Sequence, residues 1–225
     1  MGKNETAGEY VLQRLNETYG TEELDIGADA RLDKGLMHFT VRRFHVKDIG
    51  NLCLLNMSGM FGLMKMETVV LACDTRDVPL INIDTVKAMG NTTLLMELYD
   101  TRISKSDDTL ETACQAVKDR DKDLPDYESG EHWYDGILYR CSWYKKAKGQ
   151  DARFMESCRD FFDAFMNELE RADVCDPAVK REKNRVLPQG LLEHGGPAVD
   201  QVRKMFGDEL AKRLVLGHMY GLDGR

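Results

Sequence analysis

Between residues 35 and 101 the chain is a series of short apolar runs separated by glycines or a few polar residues. The segment 35–46 alternates between apolar and polar side chains, which is typical of a half-buried β-strand. Further apolar runs of strand length follow at 51–64, 65–74, 78–90 and 91–101. The connections are too short for a crossover helix, so the pattern predicts consecutive antiparallel strands and not a doubly wound parallel sheet.

Outside this region the spacing of apolar residues becomes helical. Residues 5–19 predict a short helix, and a second short helix is expected near 108–119. Residues 153–172 predict a strongly amphipathic helix. Its apolar face consists of Phe154, Cys158, Phe161, Phe162, Phe165 and Leu169. An aromatic face of this kind is typical of a helix that packs onto a core.

The C-terminal third completes the predicted set of elements. Residues 137–146 predict one more strand, and Pro197 suits the first turn of a last helix. The chain has no internal repeat and no low-complexity linker. Residues 1–225 are therefore predicted to form one α+β domain in which helices pack against the sheet.

Charge and cysteine usage narrow the function classes. The formal net charge of −8 argues against a general nucleic-acid binder, because neutralising phosphates requires an excess of Lys and Arg. No apolar run reaches about 18 residues, so no membrane partner is expected. The six cysteines show no CxxC pair and no histidine at a zinc-ligand spacing. We therefore expect free thiols in the reducing cytoplasm and no metal site.

Acidic residues inside apolar strands are the best candidates for chemistry. The sequence contains no GxGxxG, Walker A, GxSxG or HExxH motif. Asp84 lies in PLINIDTV and Glu67 in LMKMETVVL, and Glu97 is a weaker candidate of the same kind. A carboxylate on a buried strand is costly unless it is paired, hydrogen-bonded or protonated. The alternative is that each acid faces solvent from an alternating strand.

The order of these segments resembles a known family. The run from GLMHFTV through PLINIDTVKAMGNTTLLMELYDT resembles the central sheet of ferredoxin-dependent bilin reductases, with Pro79, Leu80 and Asp84 at matching spacing. Trp133, the strand after it and the aromatic helix at 153–172 resemble the second half of that family. The tail VRKMFGDELAKRLVLGHMYGL resembles its last helix. The resemblance covers roughly residues 35–222 in one order.

The resemblance implies a three-layer α/β/α sandwich with an antiparallel central sheet. It implies an oxidoreductase that holds an open-chain tetrapyrrole, a bilin or a related haem or chlorophyll breakdown product, between one sheet face and the C-terminal helices. Such enzymes bind no flavin, metal or nicotinamide. Ferredoxin supplies single electrons, and side chains donate protons to a radical intermediate. The aspartate that Asp84 matches is the proton donor, and burial of such an acid raises its pKa.

The resemblance also suggests the other site residues. Counting back from Pro79 places Glu67 where some members have a histidine partner for the aspartate, so Asp84 and Glu67 are the candidate catalytic residues. Asp84 is expected to point into a cavity between the sheet and the helices at 153–172 and 197–220, with Glu67 within reach. A second proton donor of the family falls near Leu55 or Asn56, and neither is an acid. The candidate substrate-binding residues are Asn56, Asp200 and Arg203.

An acidic ferredoxin needs a basic docking patch, for which the sequence offers three runs of cations. They are Arg42, Arg43 and Lys47; Lys145, Lys146 and Lys148; and Lys180, Arg181, Lys183 and Arg185. Each run is also compatible with an ordinary solvated surface.

Three functions remain open at this point. The first is reduction of a linear tetrapyrrole with ferredoxin as electron donor. The second is a non-catalytic tetrapyrrole-binding protein on the same fold, which the missing second acid favours. The third is an unrelated α+β domain for protein interaction.

Overall fold

Antiparallel pairing joins all eight strands into one sheet. The computed structural model describes residues 5–104 and 108–222 of the 225. Its strands are β1 (Thr21–Leu24), β2 (Arg31–Lys34), β3 (Met37–Val46), β4 (Gly50–Gly59), β5 (Met64–Cys73), β6 (Leu80–Ala88), β7 (Asn91–Tyr99) and β8 (Trp143–Lys148). They lie in the order β1-β3-β4-β5-β6-β7-β8, and β2 shares the edge of β3 with β1. The predicted antiparallel meander is confirmed.

Helices cover both faces of this sheet. The first face carries α1 (Ala7–Thr18), α2 (Thr109–Arg120) and α3 (Asp151–Arg171), and we call it the α3 face. The other carries α4 (Pro177–His194), α5 (Pro197–Phe206), α6 (Asp208–Lys212) and a π-helical segment (Arg213–Met219), and we call it the C-terminal face. The result is the α+β sandwich with a central antiparallel sheet that the resemblance implied.

The α3 face is an aromatic core. All six apolar residues predicted for the helix at 153–172 are buried, and Phe161, Phe162 and Phe165 have no exposed surface. They pack against strand residues such as Ile83 and Leu94. Burial of each such side chain stabilises the fold by about 2 kcal/mol. This face therefore holds the layers together and is filled by side chains.

A polar clamp holds the C-terminal segment on the opposite face. The amide nitrogen of Asn51 donates to the carbonyl oxygens of His218 and Met219, both at 3.0 Å. The amide oxygen of Asn51 accepts a hydrogen bond from Arg43 Nε at 2.6 Å. Gly221 passes so close that a Cβ atom there would lie 2.6 Å from the Asn51 Cβ. The segment 218–221 is thus fixed over β4.

Several elements differ from the sequence-based prediction. The last helix is broken at Gly207, whose φ of +89° belongs to the left-handed region, so α5 ends and α6 begins there. The strand predicted at 137–146 begins only at Trp143. Helix α4 was not predicted. Within the described ranges, no helix combines the length and apolar character needed to cross a bilayer.

Candidate active site

Strand β6 divides its side chains between the two faces of the sheet. Ile81 and Ile83 enter the core of the α3 face, whereas Leu80 enters the core of the C-terminal face. Because side chains alternate along a strand, Asp84 and Asn82 also point to the C-terminal face. The direct neighbours of Asp84 are Thr68 on β5 and Leu95 on β7.

Asp84 is held as a hydrogen-bonded acid in a largely buried setting. Thr68 Oγ1 donates to one of its oxygens, and Asn82 Nδ2 donates to the other at 2.8 Å. Burial, and after it the charge of Glu97, raise the pKa of Asp84 from 3.8 to about 6, although the hydrogen bonds from Thr68 and Asn82 lower it. The group keeps partial contact with solvent. A carboxyl group with such a pKa can be protonated near neutral pH and can still exchange its proton.

Glu97 is the second acid of this site. It lies opposite Asn82 on β7, and only 4% of it is exposed. Its carboxylate accepts hydrogen bonds from Asn82 Nδ2, Tyr99 Oη and Tyr144 Oη, each at 2.8 Å. From the sequence, Glu97 in LLMELYD is a weaker candidate of the same kind as Asp84 and Glu67. The pairing of β6 with β7 places Glu97 opposite Asn82, and knowledge of that pairing would have identified Glu97 as part of this network.

Asn82 joins the two acids and leaves one acceptor open. Its amide nitrogen donates to both Asp84 and Glu97, and this fixes the orientation of the amide group. Its Oδ1 is buried and, within the described part of the chain, has no hydrogen-bond partner. A buried acceptor without a partner is unfavourable and calls for a donor. A ligand N–H group at this position would supply that donor.

Tyrosines surround the acids from outside the sheet. Tyr134 packs edge-on against Tyr99, with ring centroids 5.8 Å apart, and Tyr220 comes from the end of the π-helical segment. Burial is the main cause of a raised pKa at both Tyr134 and Tyr220, and the charges of Glu97 and Asp84 raise each further. These two phenols therefore stay protonated and can donate hydrogen bonds near the carboxyl groups.

An open cleft reaches this network from the side of β8. Its volume is about 650 Å³, and its lining includes Tyr144, Leu138 and Asp135. Tyr144 is the residue whose hydroxyl group binds Glu97. The Tyr144 side chain therefore links Glu97 to this open cleft. No group of three or more His, Cys, Asp or Glu among the described residues is arranged to hold a metal ion.

Glu67 lies on the wrong face for its predicted partnership with Asp84. Its neighbour across the strands is Thr85, and its carboxylate accepts a hydrogen bond of 2.7 Å from Thr6 at the start of α1. The expectation that Glu67 and Asp84 lie within reach of each other is wrong. The residue beside Asp84 is Thr68, and a shift of one residue along a strand reverses the face.

The predicted substrate-binding residues are not brought together with Asp84. Asn56 pairs across the strands with Glu67 and so points to the α3 face. Asp200 is exposed and accepts a hydrogen bond from the backbone of Gly196 at the start of α5. Arg203 pairs with Asp200 at 3.4 Å and with Asp208 at 2.8 Å. The structure gives Asp200 and Arg203 roles at the ends of α5.

The helix at 153–172 also lies elsewhere than expected. It is α3, and it covers the face opposite Asp84. A cavity between the sheet and both predicted helices is therefore excluded by the layering. Only the second predicted helix region, now α5, α6 and the π-helical segment, lies over the face of Asp84.

In each of the three basic runs, one cation is buried in the interior. Arg43 is 6% exposed and binds Asn51, and Lys145 is 4% exposed and binds Asp126. Lys180 has no exposed surface and donates to the carbonyl oxygens of Val78 and Thr101, both at 2.6 Å. These three cations are structural and cannot contact a docking protein.

No protein-family model and no curated protein sequence matches this chain. Among solved structures, the chain is similar to phytochromobilin synthase from tomato in complex with biliverdin. The TM-score is 0.77 and the sequence identity is 14%, and the match covers 96% of this chain and 83% of the tomato chain. The protein described here therefore shares its fold with a protein that was solved with a bound linear tetrapyrrole.

Proposed function

We propose that this protein is an oxidoreductase that reduces an open-chain tetrapyrrole on the C-terminal face of its sheet. The substrate is a bilin or a related breakdown product of haem or chlorophyll. The observation that carries the proposal is Asp84, an acid with a pKa of about 6 in a sheet whose fold is shared with a biliverdin-bound protein. Asp84 supplies one of the two protons that the reduction of a double bond requires.

The surrounding groups suit the pyrrole edge of such a substrate. Pyrrole N–H groups are donors, and Asn82 Oδ1 is a buried acceptor without a partner in the described residues. Glu97 provides a fixed negative charge next to Asp84. That charge favours the protonated form of Asp84 before the reaction, and it would favour a protonated, positively charged substrate afterwards.

The electrons come from outside the chain in this proposal. We assign them to ferredoxin or a similar acidic carrier, and we assign no bound flavin, metal or nicotinamide to the protein. Reduction of one double bond then combines two electrons from the carrier with two protons from side chains or solvent. All six cysteines are free thiols, which is compatible with the reducing cytoplasm as the proposed location.

A non-catalytic tetrapyrrole-binding protein is the second candidate function. One observation favours it: Leu55 is the residue that pairs with Thr68 on the face of Asp84, at the place where a second proton donor was sought. Asn56, the other residue considered, points to the opposite face. Glu97 argues for catalysis, because it adds an acid to that face.

A titration with biliverdin tests the proposal. Binding should give a structured, red-shifted absorbance band, and reduced ferredoxin should then bleach the band or shift it to the blue. A stable band that ferredoxin leaves unchanged would favour the non-catalytic binder. No spectral change with any open-chain tetrapyrrole would favour a protein-interaction domain and would contradict the proposal.

The Asp84→Asn variant tests the role of the acid. It keeps the shape of the side chain and removes the transferable proton, so it should still bind biliverdin. Its turnover should fall by on the order of 10²-fold or more, with accumulation of a radical or of unreduced substrate. Glu67→Gln is the matched control, because Glu67 lies on the other face, and its turnover should stay close to wild type. Wild-type turnover in Asp84→Asn would show that another group donates the proton.

A further inference from the structure

Three hairpin tips at one end of the sheet expose large apolar side chains. The tips join β2 to β3, β4 to β5 and β6 to β7, and they carry five side chains that are between 54% and 91% exposed. These are Leu36, Met60, Phe61, Leu63 and Met89. Strands lie about 4.8 Å apart, so neighbouring tips are about 10 Å apart. The five side chains form one row along the end of the sheet.

Lysines at the strand ends flank this row. Lys34 ends β2, Lys65 follows the second tip, Lys87 precedes the third tip, and Lys148 ends β8 beside Gly90. Among the described residues, Lys34, Lys65 and Lys148 have no ion-pair partner, whereas Lys87 binds Asp151 at 3.1 Å. We call the five apolar residues and these four lysines the hairpin-tip surface. Its charge is positive in a chain whose formal net charge is −8.

The hairpin-tip surface keeps features that are unfavourable for the folded chain alone. Met60, Phe61 and Met89 have φ angles of 51°, 57° and 51°, in the left-handed region that favours Gly and Asn. Lys65 and Lys87 are direct neighbours across two strands, where like charges repel. Departures from local rules gather at functional sites. A partner that is apolar and negatively charged would account for both the exposed apolar residues in left-handed conformations and the adjacent lysines.

We propose that the hairpin-tip surface docks on an anionic lipid bilayer, with the apolar tips inserted between the headgroups and the lysines on the lipid phosphates. Protein interfaces are depleted in Lys, whereas all four cations of the hairpin-tip surface are lysines. Exposed Phe and Leu side chains beside basic residues are the combination that binds anionic membranes. Three separate hairpin tips also insert more easily into a fluid lipid layer than into the rigid surface of a protein.

The docking is peripheral, so it requires no membrane-spanning helix. Inserted apolar side chains together with basic residues give reversible binding to anionic membranes. The expectation of no membrane partner was based on the lack of a long apolar run and does not address such binding. The inference is independent of the proposed tetrapyrrole reductase, because none of its residues belongs to the acid network around Asp84.

Vesicle cosedimentation tests the inference. We expect the full-length protein to sediment with phosphatidylcholine vesicles that contain about one third phosphatidylglycerol, and to stay in solution with pure phosphatidylcholine. High salt should release it. Failure to sediment with the anionic vesicles, or equal sedimentation with both kinds of vesicle, would overturn the inference.

Two double variants separate the apolar and the charged contributions. Phe61→Asn/Met89→Asn should lower the vesicle partition by about tenfold or more, since both side chains are almost fully exposed and Asn tolerates their φ angles. Lys65→Gln/Lys148→Gln should lower it by a similar factor. Undiminished binding in either variant would contradict the insertion of the tips or the role of the lysines.

Matched controls lie elsewhere on the surface. Val174→Asn/Val186→Asn removes two side chains that are 72% and 52% exposed, and Lys122→Gln/Lys204→Gln removes two exposed cations. Both should bind vesicles like wild type. If wild type ignores vesicles while the tip variant loses affinity for reduced ferredoxin, the surface belongs to an acidic protein and the lipid assignment is wrong.

Discussion

At the residue scale, Asp84 opposes folding while it serves the proposed reaction. Its pKa is 3.8 in the ordinary state and about 6 in the fold, so the folded protein binds more protons between these values. Stability therefore falls as the pH rises through this window, and the penalty persists above it. A shift of about two pKa units corresponds to roughly 3 kcal/mol.

The Asp84→Asn variant should remove this pH dependence. Between about pH 4 and about pH 8, the unfolding free energy of the variant should rise relative to wild type by roughly 2 kcal/mol. Urea denaturation of both proteins at the two pH values measures the difference, and the other titrating groups cancel. A gap that stays constant with pH would show that Asp84 is an ordinary ionised carboxylate in the fold.

Glu97 should control the pH range of the reaction through its charge. In Glu97→Gln the charge next to Asp84 is lost, so the pKa of Asp84 falls. The alkaline limb of the pH–rate profile should move to lower pH by about one unit, provided that protonated Asp84 is the donor. Tyr144→Phe is the control, because it removes a hydrogen bond to Glu97 and keeps the charge. Its alkaline limb should not move to lower pH.

Sequence reasoning pointed to Asp84 as a candidate acid and misplaced its predicted partner, Glu67. Asp84 is a candidate because it lies in the apolar run PLINIDTV and matches an aspartate of the family that the sequence resembles. Its side chain lies on the C-terminal face, as that of Leu80 does. Glu67 came from counting residues, which ignores the alternation of side chains along a strand. The register pairs Asp84 with Thr68, and no local pattern in the sequence reveals that register.

At the element scale, the β6–β7 hairpin has a turn residue that its geometry does not favour. Ala88 pairs with Asn91, so Met89 and Gly90 form a two-residue turn with φ angles of 51° and 79°. Two positive φ values define a turn in which Asn-Gly is the preferred pair. Met89 is 91% exposed, so it gains little from packing.

Met89→Asn should therefore stabilise the protein by about 0.5–1 kcal/mol. Thermal or urea unfolding of the single variant measures the gain. The same substitution is expected to weaken vesicle binding, so stability and docking should change in opposite directions. A loss of stability in Met89→Asn would mean that the Met89 side chain packs against the protein.

Helix α4 is an element that local sequence patterns do not predict. Pro188 lies inside this helix, and its apolar residues give no strong stripe, so the segment looked like a basic surface run. Lys180 instead points inward, where it binds carbonyl groups 102 and 79 residues away in the sequence. By contrast, α3 was predicted correctly because its aromatic stripe is local. Contacts between segments far apart in the sequence therefore determine where Lys180 lies, whereas a local pattern is enough to predict α3.

At the scale of the whole molecule, the sheet separates an aromatic core from a network of acids. The α3 face contains the aromatic core, and Glu67 there binds the start of α1. The C-terminal face carries the network of Asp84, Asn82 and Glu97. Its helices are tied to the sheet by hydrogen bonds that include those of Asn51 and of Asn184. A ligand that enters this face must contact or displace those helices.

Biliverdin binding should therefore protect the two sides of the molecule unequally. Amide hydrogen exchange should slow in α5, α6 and the π-helical segment, because these elements lie on the same face of the sheet as Asp84 and a bound ligand would order them. Helices α1 and α3 should exchange at the same rate with and without biliverdin. Mass spectrometry of peptides resolves the two sets, and Asp84→Asn should show the same protection because it keeps the binding site. Protection confined to α1 and α3 would place the ligand on the face of Glu67, and Asp84 could then not be its proton donor.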